Sequence, residues 1–72
     1  MSGKVWYQLA DGEEHTKLYL SLEAAKDGLN RVLGKHEGMG HRVKFEGFEG
    51  SEYPLWTVEH EGEIIAKYRL IE

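Results

Sequence analysis

The stretch Leu55 to Leu70, LWTVEHEGEIIAKYRL, constrains this chain most, because two apolar-alternating runs flank His60-Glu61-Gly62. Alternation at period two marks strands with one buried face, and a glycine-bearing turn between two such runs folds them into a hairpin. Two registers are open. A two-residue loop at Glu61-Gly62 pairs Val58 with Ile65 and sets Trp56 opposite Lys67. A three-residue loop, with a type I turn at His60-Glu61 and a left-handed Gly62, pairs Val58 with Ile64 and Trp56 with Ala66. The second gathers Trp56, Val58, Ile64, Ala66, Tyr68 and Leu70 on one face. Burial of one face specifies register strongly, so the three-residue loop is expected.

Upstream, Lys4 to Ala10 alternates with Val5, Tyr7 and Leu9 on one side, and reads as a strand that ends at the turn signal Asp11-Gly12. Lys17 to Leu20 is a candidate short second strand. Ser21 then offers an N-cap hydroxyl to the free amides of a helix, with Glu23 near its positive pole. Leu22, Ala25, Leu29, Val32 and Leu33 form one apolar stripe at helical spacing, while Asp27 and Arg31 are i,i+4 partners. Gly34 is the expected C′ residue, which leaves Gly34 to Gly40 as a connector. Gly28 costs about 1 kcal/mol against alanine inside a helix, and is expected to admit Trp56 or Tyr68 from the sheet. His41 to Glu46 alternates again, with Val43 and Phe45 inward, and Gly47 to Pro54 is a loop exposing Phe48. The expected fold is α+β: a single helix on one face of a mostly antiparallel four-stranded sheet, in the order β-(β)-α-β-β-β.

With 72 residues the chain reads as one domain, residues 1–72. It has no cysteine, so disulfides cannot supplement a small core and a cysteine-based zinc site is excluded. Neither a spanning segment nor a signal-peptide apolar stretch is visible, which points to a cytoplasmic protein with no membrane partner. The net charge of −4 disfavours an indiscriminate nucleic-acid coat.

No motif for catalysis emerges. In His36-Glu37-Gly38-Met39-Gly40-His41 the histidines are spaced too widely for a zinc-protease helix, and the glycines oppose one. His36 and His41 define a metal-dependent enzyme as the weakest of three function classes. Ser21 is accounted for as a cap, and the glycines after the helix do not open one as a phosphate loop does. The reading is therefore no enzyme, no catalytic residue, no metal and no cofactor.

One helix covers one side of the sheet, so strand parity leaves the other side open. Lys4, Trp6, Gln8, Arg42, Lys44, Leu55, Thr57, Ile65, Lys67, Arg69 and Ile71 fall there. Lysines on solvent-facing strands are ordinary, but large apolar residues interleaved with them mark an interface. Trp6, Arg42, Lys44, Phe48, Leu55, Ile65, Lys67, Arg69 and Ile71 are the expected partner-binding residues. The function expected is that of a noncatalytic binding module, an adaptor or inhibitor, that takes another protein or a second copy. Size and acidity also suit the small accessory proteins of phages and mobile elements. The alternative is single-stranded nucleic acid, with bases on Trp6 and phosphates on the cations.

Overall fold

The computed structural model describes residues 2–72 and has one helix packed on a five-stranded antiparallel sheet, an α+β two-layer domain. The elements are β1 (Gly3–Leu9), β2 (Glu14–Tyr19), α1 (Leu22–Gly38), β3 (Arg42–Gly47), β4 (Leu55–His60) and β5 (Glu63–Ile71). Strand order is β2-β1-β5-β4-β3, so β1 lies beside β5, and β2 and β3 form the edges. The second strand is thus a full partner of β1, and the sheet has five strands where four were expected. The turn before it closes with Leu9 N donating to the Glu13 carbonyl, and Glu13 N donating to the Asp11 carboxylate.

This strand order makes α1 the crossover between the two edges. The chain leaves β2 at one edge and re-enters at β3 on the other, a lateral distance of about 19 Å at ordinary strand spacing. The observed 17 residues of α1 reach about 25 Å, enough to make that crossing within the helix itself. Gly34 lies inside the helix and is not its terminator. The end comes at Gly40, with φ +83°. There Gly40 N donates to the Glu37 carbonyl and His41 N to the His36 carbonyl, the paired bonds of a Schellman motif. At the other end the Ser21 hydroxyl accepts from Ala24 N at 3.1 Å, as its sequence position implies.

The hairpin turn differs from expectation. His60 pairs with Glu63, and Glu61 (φ +52°) and Gly62 (φ +82°) are both left-handed, a two-residue turn of the I′ kind whose twist matches that of the strands. The pairing then slips by one residue between Val58 and Glu59, so that Val58 faces Ala66 and Trp56 faces Tyr68. A bulge at Ile64–Ile65 thus achieves the facing that a longer loop was expected to provide. Ile64 drops out of the buried set and is 45% exposed.

The core beneath α1 is Val5, Ala25, Leu29, Leu33, Val58, Ala66, Tyr68 and Leu70. Gly28 does admit an aromatic ring, but the ring is Tyr19 of β2: a Cβ on Gly28 would stand 2.3 Å from the Tyr19 hydroxyl. Phe45 has the helix-side parity expected of it, opposite Trp56, yet at the sheet edge it stays 55% exposed and packs edge-on to Phe48. No helix among the described residues is long and apolar enough to cross a membrane.

Candidate functional site

The sheet face away from α1 carries the residues that parity assigned to it. Cross-strand partners share a face, and the register links Leu18, Lys4 and Ile71 in one row across β2, β1 and β5. The next row holds Thr16, Trp6, Arg69 and Leu55, and a third holds Glu14, Gln8, Lys67, Thr57 and Lys44. Arg42 and Lys44 are exposed on the edge strand β3, and Lys44 reaches Glu46 at 3.7 Å. Trp6, Lys67 and Ile71 are half-buried.

Three of the expected contact residues are not free for a partner. Arg69 donates to the Tyr53 carbonyl at 2.7 Å and the Glu49 carbonyl at 2.6 Å, which pins the Gly47–Pro54 loop against that corner of the sheet. Leu55, opposite Arg69, is left only 8% exposed. Ile65 lies at the bulge and packs against the core cluster. These are corrections with one cause: alternation gives the side of a sheet but not what the chain lays over it. Phe48 is 60% exposed, as expected, but sits with Phe45 at the β3 edge, three strands away from Trp6 on β1.

Sequence reasoning missed Leu18. It points to the open side from the next-to-last position of β2 at 71% exposure, while its neighbours Lys17 and Tyr19 have helix-side parity. The usual pattern is thus reversed at Lys17 and Leu18 alone, with an exposed lysine at a helix-side position and a leucine on the open side. The four residues first assigned to this strand were too few to show the alternation. The same extension of β2 brings in Glu14, whose carboxylate accepts from the Trp6 indole N–H at 3.0 Å.

A second cluster forms where α1 ends. His36 and His41 meet Nδ1 to Nδ1 at 2.9 Å, and His36 Nε2 lies 2.9 Å from the Tyr68 hydroxyl. The His60 ring stands 4.7 Å from that of His41. Burial, and then the charge of His41, hold the His36 pKa below its usual 6.5. Burial raises the Tyr68 hydroxyl pKa, with Tyr7 adding to the effect. The helix running on through Gly34 and Gly38 brings these histidines together, against the expectation of a loose connector. Among the described residues no group of three or more His, Cys, Asp or Glu is placed to hold a metal ion.

Comparison with protein-family models, with curated proteins and with solved structures finds no match in any of the three.

Proposed function

We propose that this chain is a noncatalytic protein-binding module that docks a partner on the part of the open sheet face left uncovered by the Gly47–Pro54 loop. The observation that carries this reading is Leu18, a leucine 71% exposed near the end of the edge strand β2. Half-buried Ile71 and Trp6 lie in the same and the adjoining row. Lys4 sits between Leu18 and Ile71, and Lys67 flanks the patch. The partner we assign is a protein with an apolar centre and acidic rim, the usual arrangement of such interfaces. A lack of cysteine fits a reducing compartment, and the cytoplasm is the setting we propose.

Two contacts weigh against single-stranded nucleic acid. A carboxylate, Glu14, occupies the edge of the Trp6 ring where a phosphate would follow a stacked base, and Arg69 is committed to loop carbonyls.

The test uses Leu18→Asp, which sits on the surface and leaves the core untouched. Wild-type and variant chains serve as bait in affinity capture, and sedimentation velocity reports self-association. Proteins retained by the wild type and lost with Leu18→Asp support the reading; a wild-type dimer that the variant dissociates would replace the acidic-rimmed partner with a second copy on the same face. Identical retention, with both chains monomeric, overturns it.

A further inference from the structure

On the opposite side of the sheet a cleft of about 490 Å³ opens between the edge strand β2 and α1. That volume lies in the range of about 300–1,000 Å³ occupied by small-molecule sites. Its charge is unlike that of the chain. Lys17, Arg31 and Lys35 line it and no carboxylate does, although the protein carries a net charge of −4. None of these three cations makes an ion pair among the described residues.

The floor is apolar and aromatic. Val5, Leu29 and Val32 supply aliphatic surface, and Tyr7, Tyr19 and Tyr68 supply rings. Tyr7 stacks between His15 at 5.0 Å and Tyr68 at 5.8 Å, so its ring is held in place. Gly28 completes the site, since a Cβ there would strike the Tyr19 ring and push it from the wall. The cations come from two elements that face each other: Arg31 and Lys35 are one turn apart on α1, and Lys17 lies opposite Val5 on β2. An inward lysine on an edge strand also deters strand-to-strand association, but that does nothing to explain the helix pair.

We propose that this cleft binds a small organic anion, a ring-sized apolar body bearing one carboxylate, sulfonate or phosphate. The body lies on the tyrosines and aliphatic floor, and the anion sits among Lys17, Arg31 and Lys35. Tight charge-assisted contacts at the mouth and apolar burial within are the division of labour that such sites show. The cleft is on the helix side and Leu18 on the other, so the outcome at one does not decide the outcome at the other.

The probe is 8-anilinonaphthalene-1-sulfonate, compared with N-phenyl-1-naphthylamine, which keeps the rings and lacks the sulfonate. Fluorescence titration of the intact chain gives affinity and stoichiometry, and amide shifts in an NMR spectrum locate the site. Expected are one anion per chain and shifts centred on Tyr19, Gly28 and Leu29. The sulfonate should bind about tenfold more tightly than the neutral probe, and Arg31→Ala with Lys35→Ala should erase that margin, two partly exposed ion pairs acting together. The neutral probe should lose much less affinity for the double variant than the sulfonate does, since only the stems of Arg31 and Lys35 touch it. Absent binding overturns the proposal, as do equal affinities for the two probes, indifference to the double variant, or shifts centred on Phe45 and Phe48. Should the double variant lose its native spectrum, Lys17→Met on the edge strand carries the same comparison.

Discussion

His36 Nε2 lies 2.9 Å from the Tyr68 hydroxyl, which ties the last turn of α1 to a buried residue of β5. The other ring nitrogen of His36 meets His41 Nδ1, so the two imidazoles share one proton between them. Either neutral tautomer satisfies this chain of contacts. Two imidazolium rings do not, because both would direct an N–H at the same point.

Stability should therefore fall in mild acid. The pKa of His36 in the folded chain is held below 6.5, so below that pH the unfolded chain binds more protons than the folded one, and stability drops as pH falls through the interval. Urea denaturation of wild type and His36→Gln between pH 7.5 and 5.5 checks the sign (a window of about two units around the reference histidine pKa). The wild type should lose stability more steeply than the variant, which has no imidazole to charge at that position. Equal slopes would remove His36 as the source.

The glycines should respond in opposite directions to alanine. Gly34 is a helix-interior residue with open space around its Cβ position, so Gly34→Ala should stabilise by about 0.5–1 kcal/mol through helix propensity alone. Gly3 is where β1 passes beneath the start of α1, and a Cβ there would come within 2.8 Å of Leu22 Cα and 3.0 Å of the Ser21 carbonyl. Backbone cannot step aside as a side chain can, so Gly3→Ala should cost about 1–3 kcal/mol. Urea midpoints for the two variants should move to either side of wild type.

These two glycines also show what the sequence could and could not convey. Period-two and helical spacings are local properties, and they correctly placed β1, the β4–β5 hairpin, the Ser21 cap and the face that Val58, Ala66 and Tyr68 bury. Where α1 ends is not local. Gly34 has the look of a terminator, but the helix continues to Gly38 and stops at the Schellman glycine Gly40, a choice between two glycines that local spacing does not make. The same holds at the candidate site. Parity put Arg69, Leu55 and Lys4 on one side correctly, yet a contact between Arg69 and the carbonyls of residues 49 and 53 depends on how an eight-residue loop folds back. Leu18 was legible in principle, once β2 is known to begin at Glu14.

Thr57 supplies an independent check on the open face. Its hydroxyl is buried without a hydrogen-bond partner, in a residue 3% exposed on a strand with neighbours on both sides. An unpaired buried hydroxyl costs about 1–3 kcal/mol, and valine has nearly the same shape without it. Thr57→Val should thus stabilise by about 1 kcal/mol, read as a rise in urea midpoint at unchanged slope. A loss of stability would mean that the hydroxyl is satisfied in solution.

Arg69 should matter for the loop more than for the sheet. One guanidinium donates to two carbonyls, those of Tyr53 and Glu49, and its planar fork can do so in one orientation where a lysine ammonium has no matching pair of donors. Arg69→Lys should cost about 1–2 kcal/mol and raise amide exchange within residues 48–53, while the protection of β1 and β5 stays as in wild type. Leu55 lies beneath this corner, so releasing the loop also enlarges the apolar surface beside Trp6 and Ile71. If the partner docks on the uncovered quadrant alone, Arg69→Lys leaves its capture unchanged and Leu18→Asp abolishes it. Tighter capture by Arg69→Lys would instead make the loop a cover that the partner must displace, and Leu55 part of the contact.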